Sequence, residues 1–208
     1  MMFRLIAFAA LFLALPAAAS DDRTWNFRVM LDNREIGEHQ FTLGTAGDDR
    51  ELRSEARFDV RLLFVNAYRY RHLALERWNG NCLRSLVAHT ETNGETLAVN
   101  AETRDGRLVV VRPAAREAHD GCVMSFAYWN PQILKARQLL NSQTGELLPV
   151  QVTPQGEETL PVRGEPRAAQ RYRIQAPGLE IDLWYADDRW VALQARAAGG
   201  RRLRYELM

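Results

Sequence analysis

The chain has 208 residues, with 27 basic and 26 acidic side chains, a formal net charge of +1 and 47% hydrophobic residues. That length and apolar content are enough for one core, and all-β domains of this size are commonly a single unit. The even charge balance excludes a nucleic-acid binder that works through a basic face.

Taken from the start, residues 1–19 read as a secretory signal peptide. Arg4 supplies the positive end, Leu5 to Leu15 an apolar run, and Ala17-Ala18-Ala19 a small-residue cleavage site before Ser20 or Asp21. The run is too short to cross a bilayer as a helix, which takes roughly 20 residues. The expected mature chain is a single β-rich domain over residues 20–208, periplasmic or secreted, with no transmembrane segment. Loss of Arg4 with the leader leaves 26 basic residues against 26 acidic. Only Lys135 among the basic residues is lysine, an arginine bias that fits a GC-rich bacterial genome.

The next stretches alternate like strands. Thr24 to Leu31 places Trp25, Phe27, Val29 and Leu31 on one side, and after Asp32-Asn33 the chain returns over Ile36 to Leu43. Arg50 to Phe64 carries Leu52, Ser54, Ala56 and Phe58 on alternate positions, and Ala67 to Trp78 opens with Tyr68 and Tyr70 opposite Arg69 and Arg71. Cys82 to Thr92, Thr96 to Thr103 and Arg107 to Arg112 are joined by Asn93-Gly94 and Asp105-Gly106, both strong signals for tight hairpins. Tandem tight hairpins make an antiparallel meander.

The pattern breaks between Cys122 and Gly145, where an aromatic cluster (Phe126, Tyr128, Trp129) leads to Asn130-Pro131. Asn130 is a good N-cap and Pro131 suits a first helical position, so a short α-helix is expected over Pro131 to Leu140, stopped by Asn141 to Gly145. Strands resume at Leu147 to Thr153, Gln170 to Ala176, Leu179 to Tyr185, Arg189 to Ala197 and Arg202 to Met208, with Pro154 to Pro166 read as a looser connection. Ten to twelve strands with one helix must curl to bury an apolar face. The expected fold is mainly β: one strongly curved antiparallel sheet, half-barrel or barrel-like, with the helix packed against it.

Cys82 and Cys122 are the two cysteines, and an even, minimal count in an oxidising compartment suggests one disulfide, the alternative being two separate buried thiols. None of His39, His72, His89 and His119 stands at metal-ligand spacing, and no nucleophile elbow surrounds Ser125. No catalytic residue, metal or cofactor is therefore assigned. His39 is singled out as alternating away from the apolar side, and Asp187-Asp188 is read as a turn. The arginines Arg57, Arg61, Arg69 and Arg71 form a basic strip that is either an anion site or a solvated face.

The chain resembles the DUF6134 family of exported bacterial proteins. The likeness lies in Trp25-x-Phe27-x-Val29 with Ile36-Gly37-x-His39-x-Phe41, in Tyr68-Arg69-Tyr70, Trp78 and Cys82-Leu83. It continues in Phe126-Ala-Tyr-Trp-Asn-Pro131, Leu139-Leu-Asn-x-Gln-Thr-Gly145, Leu183-Trp-Tyr185 and Leu203-Arg-Tyr205. The resemblance implies a secreted β-rich domain and supplies no activity.

The residues themselves favour non-enzymatic binding of a hydrophobic or amphipathic envelope molecule, a lipid or acyl chain. The expected lining is Phe126, Tyr128, Trp129, Ile133 and Leu134 with Tyr68 and Tyr70, since ligand pockets are mostly apolar with a few placed polar groups. The competing readings are a structural or assembly module that contacts envelope proteins, and a hydrolase that uses His39 or His72 with a nearby carboxylate.

Overall fold

The computed structural model describes residues 23–62 and 65–208, so the leader read in residues 1–19 lies outside the described residues. Fifteen strands run in chain order: β1 Arg23–Leu31, β2 Arg34–Ala46, β3 Asp49–Leu62, β4 Val65–Asn79, β5 Cys82–Thr92, β6 Glu95–Arg104, β7 Arg107–Arg112 and β8 Ala115–Asp120, followed by β9 Gln138–Leu140, β10 Leu147–Pro149, β11 Gln151–Val162, β12 Glu165–Ala176, β13 Leu179–Ala186, β14 Arg189–Arg196 and β15 Arg202–Leu207. Thirteen form one sheet in the order β11-β12-β13-β14-β15-β1-β2-β3-β4-β5-β6-β7-β8, and β9 and β10 form a separate two-stranded sheet. The first and last strands are neighbours in its middle, with Val29 opposite Tyr205. The edges β8 and β11 are not paired with each other, so the sheet curls without closing.

Tight turns follow the expected chemistry. Asn93-Gly94 and Asp105-Gly106 have positive φ at both positions, as do Asp187 and Asp188, which confirms the last pair as turn residues. At Gly37 (φ 145°) a Cβ would sit 1.9 Å from the carbonyl oxygen of Arg57, so β2 can pass β3 there only as glycine.

The chain between the two sheet edges does not run around the outside. Residues 121–150 enter the concave face and fill it: Val123, Met124, Ala127, Trp129, Ile133, Leu139 and Leu140 are all buried in the main core. The Cys82–Cys122 disulfide, with Cα atoms 4.9 Å apart, pins the entry of this segment to β5, and the Leu83 N–H donates to the Val123 carbonyl at 2.8 Å. Closing a loop of this size restricts the unfolded chain and is worth roughly 3–4 kcal/mol.

The expected α-helix over Pro131 to Leu140 is absent. Asn130 does cap a turn, its side chain accepting from the Gln132 N–H at 3.1 Å, but the turn is a 3₁₀ segment limited to Pro131–Lys135. Ala136 is already extended (φ −69°, ψ 147°). Leu139 and Leu140, both fully buried, pair as a strand with Leu148 and Leu147. The Leu140 N–H donates at 2.8 Å to the Met124 carbonyl instead of turning back on its own segment. Tertiary pairing inside the barrel overrides local helical preference here.

The loose connection expected over Pro154 to Pro166 is likewise replaced, by the hairpin β11–β12 with its turn at Arg163-Gly164 and a bulge between Pro154 and Gly156. Prolines obscure this strand in the sequence. They are tolerated because β11 is an edge, where a missing N–H breaks no ladder.

Candidate functional site

The concave face has two different ends. At one, Trp190 is fully buried among the rings of Phe27 (centroids 4.4 Å apart), Phe41 (5.0 Å), Tyr128 (5.3 Å) and Trp25 (6.5 Å). At the other, beyond Phe41, which borders both ends, the inward positions are small or polar. The register of β2 to β5 lays them out in rows: Phe41, Ser54, Ala74 and Ala88 in one, and His39, Ala56, His72 and Thr90 in the next. Serine and alanine where the aromatic end has tryptophan and phenylalanine leave a hollow of about 250 Å³.

Its wall includes His39, Phe41, Ser54, His72, Ala74, Glu76 and Tyr205 from the sheet, with Phe126 and Tyr128 from the interior segment. Its mouth lies among Ser142 and Gln143 of the β9–β10 turn, Leu179, Arg196 and Leu203, which are half-buried or exposed. Gly145 closes that turn against the sheet, where a Cβ would meet Val99 and Val110 side-chain carbons at 3.0 and 3.3 Å.

The polar groups are hydrogen-bonded to one another. Nε2 of His39 lies 2.7 Å from the Ser54 hydroxyl and its Nδ1 lies 3.2 Å from the Tyr205 hydroxyl. The ring also stacks on Phe41, with centroids 4.0 Å apart. Nδ1 of His72 lies 2.9 Å from the Thr90 hydroxyl. Glu76 is buried and accepts from the Ser125 hydroxyl at 3.0 and 3.1 Å and from the Trp78 indole N–H at 2.9 Å.

Burial sets the charge state of this end. Loss of water pushes the Glu76 carboxyl up to about 7, against the hydrogen bonds from Ser125 and Trp78, which favour its ionised form. Burial, with a smaller contribution from His89, brings His72 down to about 4. Burial, then the neighbouring His72, lowers His39 well below the ordinary histidine value. Both imidazoles are therefore neutral at pH 7. Burial likewise raises the Tyr128 and Tyr205 hydroxyls, so both stay protonated.

Of the expected lining residues, Phe126 and Tyr128 are on the cavity wall. Trp129 lies at the opposite end, beside Trp25 and Trp190 on an open groove of about 700 Å³, with the Arg50 guanidinium 4.6 Å from its ring centroid. Ile133 is buried in the core and Leu134 packs on it half-buried. Tyr70 is buried against Phe58 at 5.2 Å, with half-buried Tyr68 stacked beside it at 6.4 Å. His39 does not alternate away from the apolar side. It shares the inward face of β2 with Phe41 and Leu43, two and four residues on.

Glu76 escaped the sequence reading although its signal was present; His72 entered it only as a hydrolase candidate and Ser54 only as an alternating strand position. The Tyr68 and Tyr70 alternation, continued along β4, places His72, Ala74, Glu76 and Trp78 on the same inward face. Three arginines of the basic strip are ion-paired: Arg71 with Asp59 at 2.7 Å, Arg69 with the same carboxylate at 3.7 Å, and Arg57 with Glu55.

A family model described as a domain of unknown function, DUF6134, matches residues 27–208. The chain belongs to the DUF6134 family. That match covers the whole curled sheet except the first residues of β1, and it includes the interior segment and every residue of the cavity wall. A comparison with curated proteins finds no match. Among solved structures, the chain is similar to a β-barrel-like protein of domain of unknown function DUF1849 from Brucella abortus. The TM-score is 0.64 at 11% identity, covering 90% of this chain and 95% of that one. At that identity the likeness is one of fold.

Proposed function

We propose that this DUF6134 protein is a non-enzymatic binder of a small amphipathic molecule, held in the cavity between the sheet and its interior segment, and that it works outside the cytoplasm. The observation that carries the reading is the convergence of His39, His72, Glu76 and Tyr205 with Phe41, Phe126 and Tyr128 around one hollow. Ligand sites are typically apolar hollows with a few convergent polar groups, some of shifted pKa. The volume of about 250 Å³ is slightly below the usual range for whole drug-sized ligands. It suits a short molecule, or the head of a lipid whose chain leaves by the mouth at Leu179 and Leu203. The disulfide and the leader-like first residues support an oxidising compartment such as the periplasm.

Hydrolysis is a weaker reading. Ser54 is hydrogen-bonded to His39, but it sits mid-strand with ladders on both sides, so the neighbouring N–H groups are committed to β2 and β4 and offer no oxyanion site.

The test is uptake of a fluorescent short-chain amphiphile by the full mature protein, with native mass spectrometry to count the bound molecules. Saturable one-to-one binding is expected, abolished by Ala74→Phe, which fills the hollow from β4. Absence of uptake by the parent protein, or unchanged uptake by a folded Ala74→Phe variant, contradicts the proposal.

A second reading, an interaction module of the envelope, draws on the convex face. Leu75, Val87 and Val111 are 44%, 56% and 40% exposed. Their register puts them in one row, with Asn100 between the last two. Exposed apolar rows of this kind mark contact surfaces.

A further inference from the structure

We infer that the cavity selects an organic cation, an alkylammonium head with a short apolar tail, through Glu76 and the surrounding aromatic rings. This rests on the binding reading above and names the chemistry of its ligand. Three observations carry it.

First, Glu76 is a buried carboxyl whose protein partners are two neutral donors, the Ser125 hydroxyl and the Trp78 indole. Neither arginine nor lysine is among the groups acting on it. A buried carboxylate without a counter-charge is costly, and it either holds a proton or is stabilised by a positive charge brought to it. Second, among the described residues Arg196 is the one cationic side chain on the cavity wall. It is exposed at the mouth and turned to Glu180, with Nε 3.2 Å from the carboxylate. The interior therefore offers an anionic ligand no cationic partner. Third, the same wall carries Phe41, Phe126, Tyr128 and Tyr205. Aromatic faces around an anionic group attract ammonium heads, by about 2 kcal/mol or more per ring when desolvated.

The groups facing Glu76 across the hollow do not compete for that role. His39 on β2 and His72 on β4 are held neutral by burial, and the Tyr128 and Tyr205 hydroxyls stay protonated. The carboxyl itself passes from neutral to anionic near pH 7. Cation affinity should therefore rise with pH through neutrality.

Calorimetric titration of the full mature protein at pH 8.5 with hexyltrimethylammonium, hexanoate and 1-hexanol tests this. The quaternary head keeps its charge at every pH. Hexyltrimethylammonium is expected to bind at least about tenfold tighter than either other probe. Glu76→Gln should remove that preference, bringing the affinity for hexyltrimethylammonium down to that for hexanol. In the parent protein, hexyltrimethylammonium affinity should fall about tenfold or more between pH 8.5 and 5.5, with hexanol affinity flat. This arm decides the matter if the variant does not fold. Equal affinity for cation and alcohol, or a cation affinity indifferent to pH, overturns the cation inference and leaves the binding cavity standing. Failure of all three probes to bind overturns both.

Discussion

The two ends of the concave face belong to one continuous sheet, share β2, and differ in what they do. Around Trp190 the inward side chains are large rings that fill the space between sheet and interior segment. On β3 and β4 the inward Ser54 and Ala74 are small, and the space beside them is rimmed by His39, His72 and Glu76. The first end holds the barrel together. The second holds polar groups that a purely structural core would exclude, since burying them costs free energy unless they are satisfied. Within one continuous sheet, the contrast separates residues kept for stability from residues kept for something else.

The largest effect should come from the aromatic end. Trp190→Ala removes a fully buried ring and is expected to destabilise the fold by about 3–5 kcal/mol in urea unfolding. A loss below about 1 kcal/mol would mean that this end is not the anchor described here. Next comes the link between wall and interior segment. Replacing both Cys82 and Cys122 by serine should lower stability by roughly 3–4 kcal/mol. It should also weaken amphiphile uptake, because Ser125, which donates to Glu76, follows Cys122 by three residues. Unchanged uptake would separate the disulfide from the site.

The polar end should show itself in pH dependence. Folding raises Glu76 from its ordinary 4.5 to about 7, so between those values the folded chain holds a proton that the unfolded chain has released. The contribution of this group to stability therefore declines as pH rises. His72 has the opposite sign: folding lowers it from 6.5 to about 4, so its contribution is lost as pH falls through that window, and His39 acts in the same direction. Glu76→Gln should accordingly gain on the parent protein as pH rises from 4 to 8, by up to about 3 kcal/mol, since each pKa unit is worth about 1.4 kcal/mol. Urea midpoints measured across that range check it, and a pH-independent difference would contradict it.

Much of the wall was legible in the sequence because period-two alternation and tight-turn residues are local signals. Cys82 to Thr92 and Arg107 to Arg112 match β5 and β7 end to end, and Asn93-Gly94 joins its strands as expected. The cysteine pair was legible from its count alone. Pro154, Pro161 and Pro166 hid β11 and the start of β12, since nothing local says that a strand will lie at an edge. Pro131 and the apolar spacing after it suggested a helix, but Leu139 and Leu140 are claimed by Leu147, Leu148 and Met124, partners fixed only when the sheet encloses them. The cavity was hidden for a related reason. An alanine on a strand reads as filler until the register sets Ala74 beside Ser54 on the cavity wall.

The most direct measurement is the carboxyl titration of Glu76, followed by carbon-detected NMR in the free protein and again with saturating hexyltrimethylammonium. The account predicts a midpoint near 7 in the free protein, displaced downward once the cation occupies the cavity. A midpoint near the ordinary value of 4.5, unmoved by the cation, would contradict it.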